Sequence, residues 1–153
     1  EAAPHYERAM RLPGAAPSVW VSAGALYSAL GDRERAERCY QAALAKDGLN
    51  PVALNNLAYL LGRAGKNLEY ALQLAQSAGA MLPGSDEVQD TLLYVTLKLG
   101  YKQQALEILE KAAARSSTAS KSWYRSLKAE LAEGTAGAVL RRLEEAQKGR
   151  KAT

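Results

Sequence analysis

The chain has 153 residues, 48% of them apolar and 24% charged, with a formal net charge of +4. That is enough for one domain with a sizeable core, and too apolar for a disordered segment. The single cysteine, Cys39, excludes an internal disulfide framework and a cysteine-rich zinc site, and no apolar run reaches the roughly 18 residues of a membrane span.

In chain order the elements read as helices, consistent with abundant Ala, scarce Val and Ile, and no Phe. Residues 1–14, "EAAPHYERAMRLPG", carry Ala2, Tyr6 and Ala9 at helical spacing and form a first helix. Helices are predicted over 17–30 and 33–47, the second opening on "GDRERA". Asn50 as N-cap with Pro51 at the first helical position starts 51–64, and 68–82 follows. Ser85 with Asp86 and Glu87 starts 86–99, followed by 102–115. The last pair is 120–133 and 136–148, with 149–153 expected to be a disordered tail.

A period runs through these elements. Gly31, Gly65, Gly100 and Gly134 lie 34, 35 and 34 residues apart; Ala36, Ala71, Ala105 and Val139 lie 35, 34 and 34 apart. One residue has therefore been inserted between Gly65 and Ala71, where "GKNLEYA" stands against "GDRERA". Ala43, Ala78, Ala112 and Ala146 form a third column, and Tyr40, Ala75, Leu109 and Leu143 a fourth. Such a repeat marks a solenoid whose units bury their faces against neighbours. Small residues at 24, 36 and 43 let helices cross closely, while Trp20, Tyr27 and Tyr40 fill the gaps. Leu93 and Leu127 stand where Gly24 and Ala58 are small, so packing should widen there.

The pattern "W-x2-A-G-x2-Y…GD…A-x3-Y-x2-A" from Trp20 to Ala43, then "L-x2-L-A-x2-L…G" from Leu54 to Gly65, resembles the tetratricopeptide repeat. A third unit runs from Leu92 to Ala112, and a weaker fourth starts at Trp123. The resemblance implies an all-α fold, a right-handed α-solenoid of antiparallel helix pairs. Its units are 17–50, 51–85 with the insertion, 86–119, and a degenerate repeat with C-terminal cap at 120–148. Residues 1–14 would be the second helix of a truncated preceding repeat, so that the chain starts mid-repeat within a longer protein. That edge should expose apolar surface and offer a route to self-association. The last helix, with Arg141, Arg142, Glu144, Glu145, Gln147 and Lys148, should turn a polar face outward as a cap.

In such solenoids the first helix of each pair lines the concave side, and similar proteins hold a peptide or helix there. The inward stripe comprises Asn55, Asn56, Tyr59 and Arg63; then Asp90, Thr91, Tyr94 and Lys98; then Lys121, Tyr124, Arg125 and Lys128. An Asn amide donates and accepts, so it pairs with any peptide bond, and Tyr adds contact area with a hydroxyl. Of the carboxylate clamp that chaperone-docking members carry, Lys121 and Arg125 match one part. Thr91 stands in place of the middle Asn, and Asn55 with Tyr59 in place of the first Lys–Asn pair, so the clamp is incomplete.

The expected function is a non-catalytic scaffold that binds a partner protein's peptide or helix in this groove. The alternative is the substrate-recruiting arm of a larger enzyme, for example a glycosyltransferase. Catalytic, metal and cofactor sites are not expected: His5 is the only imidazole and has no partner for a triad or metal cluster, and Cys39 reads as an inert thiol. Residues 1–119 hold 12 basic and 12 acidic side chains, while 120–153 hold 8 and 4, so the whole excess charge is C-terminal. Nucleic acid is nonetheless an unfavoured partner, because Glu144 and Glu145 interrupt the basic residues 141, 142, 148, 150 and 151, and no aromatics interleave them. Cytoplasmic and bacterial periplasmic or envelope locations are equally compatible with the sequence.

Overall fold

The computed structural model describes residues 2–10, 12, 14–115 and 118–151. Nine helices occur among them: α1 (Ala2–Met10), α2 (Pro17–Ala29), α3 (Arg33–Lys46), α4 (Pro51–Ala64), α5 (Leu68–Met81), α6 (Asp86–Lys98), α7 (Lys102–Arg115), α8 (Thr118–Glu133) and α9 (Ala136–Lys151). The Asn50 and Ser85 caps read from sequence set their boundaries, and the structure adds Asp32 as a third. The Asp32, Asn50 and Ser85 side chains accept from the backbone N–H groups of Arg35, Ala53 and Val88 at 3.0, 3.0 and 3.4 Å. Gly31, Gly65 and Gly100 have φ of 80°, 65° and 79°, the left-handed conformation that ends a helix without a side-chain clash. The inserted residue is absorbed one step later, at Asn67, which adopts φ 47° immediately before α5.

Helices pair in antiparallel fashion, and each pair leans on the next. Helices α2, α4 and α6 approach one another across units, whereas α3, α5 and α7 meet chiefly the first-row helices beside them. The row α2–α4–α6 therefore forms one side of the stack, called the inner side below. Between the rows runs one continuous core, in which Ala23, Ala36, Ala43, Ala58, Ala71 and Ala78 are fully buried beside Leu57, Leu93 and Leu109. The small residues permit close crossings: a Cβ added at Gly24 would stand 2.6 Å from Cε1 of the Tyr40 ring. Close backbone approaches within a pair thin out in the order α2–α3, α4–α5, α6–α7, α8–α9. The position facing the second helix grows along the same series: Gly24, Ala58, Leu93, Leu127.

Two expectations fail at the C-terminus. α9 runs on to Lys151 instead of ending at 148, so 149–151 are helical; 152 and 153 lie outside the described residues. Nor does α9 present all its polar residues outward. It packs on α6 as well as α8 and reaches the inner side of the row, with Val139, Leu143 and Gln147 buried. These three follow at i, i+4 and i+8, one stripe of the helix. Among the described residues no helix is long and apolar enough to cross a membrane.

Candidate partner-binding groove

The inner side is built from α4 and α6, whose stripes of Asn, Tyr and Arg were expected to face a ligand. Part of that stripe is interior. Asn55 is 4% exposed, and Asp90, Thr91, Tyr94 and Tyr124 are buried as well. The Thr91 hydroxyl turns back along its own helix and donates to the Glu87 carbonyl at 3.1 Å. The Tyr124 hydroxyl donates to Asp86, at 3.2 Å to the carbonyl oxygen and 3.4 Å to Oδ1, tying α8 to the start of α6. The Ser120 hydroxyl meets the same carboxylate. These groups hold the stack together.

A second group remains gathered on the inner side. The Tyr59 and Tyr94 rings lie 5.7 Å apart, tilted by 56°, which brings α4 and α6 together through an aromatic pair. Above them comes Glu144 of α9. Its Oε1 accepts from the Tyr94 hydroxyl at 2.7 Å, and its Oε2 lies 3.1 Å from Nη1 of Arg63. One carboxylate thus bridges a phenol of α6 and a guanidinium of α4. Burial raises the Tyr94 pKa above the ordinary tyrosine value, and the bond to Glu144 with its negative charge raises it further. Tyr59 is raised by burial too, against the opposing Arg63 charge. Asn56, half-buried, meets the Tyr40 phenol; that phenol is raised mainly by burial, with the Asn56 hydrogen bond working in the opposite sense.

Beyond Glu144 the groove opens into a cavity of about 370 Å³, bounded by Ser28, Arg33, Tyr59, Arg63, Gln147 and Lys148 among others. The expected basic end is not continuous with it. Lys121, Arg125 and Lys128 border a separate depression with Glu110, Ala113 and Ala114 of α7, and Lys128 pairs with Glu110. The Glu110 carboxyl is held below its ordinary range by that lysine. Lys98 lies exposed at the end of α6.

Sequence reasoning missed Glu144 and Gln147, which it placed on a solvated cap. The signal was present in the spacing of Val139, Leu143 and Gln147, which continues an apolar stripe into an amide. Arg142 is also inward-turned: its guanidinium lies 4.4 Å from the centre of the Trp123 ring and binds Glu130 at 2.8 Å and the Ser126 hydroxyl at 3.0 Å. This leaves Arg141, Glu145 and Lys148 exposed on that helix. His5 is exposed, and Cys39 is buried with its thiol pKa pushed up by that burial. Among the described residues no group of three or more His, Cys, Asp or Glu side chains could hold a metal ion.

Helix pairs of about 34 residues, small-residue crossings and a continuous inner row define an α-solenoid of helix–turn–helix repeats. The tetratricopeptide repeat profile matches residues 17–60. Tetratricopeptide repeat protein 8 of Homo sapiens is 30% identical over 99 residues, covering 65% of this chain and 18% of that protein. The Mus musculus protein of the same name is 31% identical over 97 residues, covering 63% and 19%. The chain thus spans less than a fifth of these relatives' length. The NMR structure of the first TPR domain of the human RPAP3 protein superposes with a TM-score of 0.59 at 19% identity, covering 90% of this chain and 96% of that one. Residues 17–60 thus carry a tetratricopeptide repeat, within a chain that has the fold of a TPR domain. Domains of this kind are in general protein–protein interaction modules and typically non-catalytic.

Proposed function

We propose that this chain is a non-catalytic docking scaffold that receives a helix or extended peptide of a partner protein along the inner side of α2, α4 and α6. One observation carries the reading: the chain's own α9 lies against that side, with its Glu144 held by Arg63 and Tyr94. A surface that accepts one amphipathic helix through an aromatic pair, a guanidinium and a phenol has the chemistry to accept another. The open continuation past Gln147, lined by Tyr59, Arg33 and Arg63, supplies the specificity contacts, and a lining of cations without carboxylates favours a ligand with acidic character.

The test is selection of displayed peptides on the immobilised chain, followed by fluorescence binding to Tyr59→Ala, Asn56→Ala and Arg63→Ala. Selected peptides should lose at least tenfold in affinity to Tyr59→Ala and Arg63→Ala. They should be indifferent to Arg38→Ala, on the exposed face of α3. Ligands that ignore the inner-side changes and respond to Arg38 would place the docking surface on the outer row.

A further inference from the structure

We propose that α9 is a removable occupant of the groove, and that the partner enters as an amphipathic helix reproducing α9's Leu143–Glu144 face. This rests on the docking function proposed above and specifies its ligand.

Three observations point to it. Glu144 of α9 bonds to both α4 and α6, and both its partners, Arg63 and Tyr94, belong to the stripe whose residue types suit a ligand. α9 is also the most thinly attached of the inner-side helices, its close approaches being confined chiefly to α6 and α8. Lastly, α9 is an imperfect fit. Gln147 is 3% exposed and its Nε2 has no acceptor, so a donor has been taken out of water without compensation. A helix with the same carboxylate and an apolar residue at that position carries no such penalty. It would also continue into the cavity beside Ser28, Arg33 and Tyr59, which α9 leaves open. A partner that outcompetes α9 must overcome its high local concentration, which explains why a resident helix can tune affinity without blocking the groove outright.

The experiment uses the full chain and a fluorescein-labelled peptide of residues 136–151 carrying Gln147→Leu. The peptide should bind, and adding Glu144→Lys to the peptide should weaken it at least tenfold. Placing Glu144→Lys in the chain instead, which sets a cation against Arg63, should tighten binding of the first peptide at least tenfold. Hydrogen exchange in α9 of the wild-type chain should accelerate on peptide binding while α4 and α6 remain protected. Binding without any change in α9 exchange would overturn the proposal, as would equal affinity for both peptides. Should Glu144→Lys prevent the chain from folding, wild-type exchange across a denaturant series decides. Opening of α9 ahead of α4 and α6 supports removal, and one common transition overturns it. A display-selected ligand that needs Tyr59 and Arg63 yet leaves α9 protected would sink this inference while the docking function stands.

Discussion

Gly24, Gly62 and Gly79, three of the glycines within helices, differ chiefly in what faces them, so replacing each by Ala isolates tertiary packing from backbone propensity. In a helix interior Ala is favoured over Gly by about 0.5–1 kcal/mol. At Gly79 of α5 the new Cβ would meet Leu92 Cδ2 at 3.6 Å, ordinary contact, so the gain should survive as about 0.5 kcal/mol of stabilisation. At Gly62 of α4 the nearest atom is Val95 Cγ2 at 3.0 Å, with the Tyr94 ring at 3.4 Å. The neighbours must move by a few tenths of an ångström, and gain and cost should cancel to within about 0.5 kcal/mol. At Gly24 of α2 three atoms of the Tyr40 ring lie at 2.6, 2.8 and 3.0 Å. That ring is buried and its phenol meets Asn56, so it has no free direction in which to swing.

Overpacking of that kind costs about 1–3 kcal/mol, leaving Gly24→Ala a net destabilisation of about 1–2 kcal/mol after the propensity gain. For a chain of this length each kcal/mol moves Tm by about 2–4 °C. Thermal melts followed by helical circular dichroism should therefore rank Gly79→Ala above wild type, Gly62→Ala level with it, and Gly24→Ala about 3–6 °C below. Pairing Gly24→Ala with Tyr40→Leu, which removes the obstructing ring atoms, should cost less stability than the sum of the two single changes. Equal shifts for all three glycines would refute the argument, because propensity alone would then account for the series.

Other outcomes follow from the inner side and its supports. Tyr94→Phe removes the hydroxyl that donates to the Glu144 carboxylate and should cost about 1–2 kcal/mol in urea unfolding at neutral pH. Because the folded Tyr94 pKa is raised above the unfolded value of 10.0, its stabilisation is complete below pH about 10 and is lost as pH rises beyond that. Wild type should therefore weaken more steeply in alkali than Tyr94→Phe, and parallel pH curves would contradict the assignment. Arg142→Ala, which loses the Trp123 face, Glu130 and Ser126 together, should cost about 1 kcal/mol, whereas Arg38→Ala, whose partner Glu34 is exposed in the first turn of α3, should change urea stability by less than about 0.5 kcal/mol. Cys39, buried with its thiol pKa raised, should react with iodoacetamide at pH 8 at least tenfold more slowly in the folded chain than in urea, by mass spectrometry of timed samples.

Where a feature is local and repeated, the sequence displays it. Helix ends were legible because Asn50, Ser85 and the glycines at 31, 65 and 100 act on the backbone within a few residues of themselves. Core columns were legible because the same crossing recurs every 34 residues, so Ala36, Ala71 and Ala105 could be read against one another. The site was legible only in part. Tyr59, Arg63 and Tyr94 lie together around Glu144, whereas Asn56 meets Tyr40 of α3, because helical periodicity gives only the direction in which a side chain leaves its own helix. It cannot say whether another helix covers it. Thr91 and Tyr124 point in the expected direction and are buried there by α6's neighbours; Lys121, Arg125 and Lys128 turn toward α7 because α8 docks on that helix instead of extending the inner row beside α6.

The same size series that loosens the later pairs accounts for the position of α9. Gly24 lets α3 come close enough for Tyr40 to lie on the α2 backbone, and Ala58 lets α5 approach α4 nearly as well. Leu93 already holds α7 farther from α6. At the fourth unit Leu127 fills the crossing, so α9 cannot bury its stripe by close approach to α8 alone. Val139 and Leu143 must leave water somewhere, and the inner side of α6 supplies a surface already apolar at Leu97 and aromatic at Tyr94. Once α9 turns there, Glu144 falls between Arg63 and Tyr94, and the carboxylate loses less by partial burial than it would facing an apolar wall. Glu144 is thus the point at which α9 joins α4 to α6.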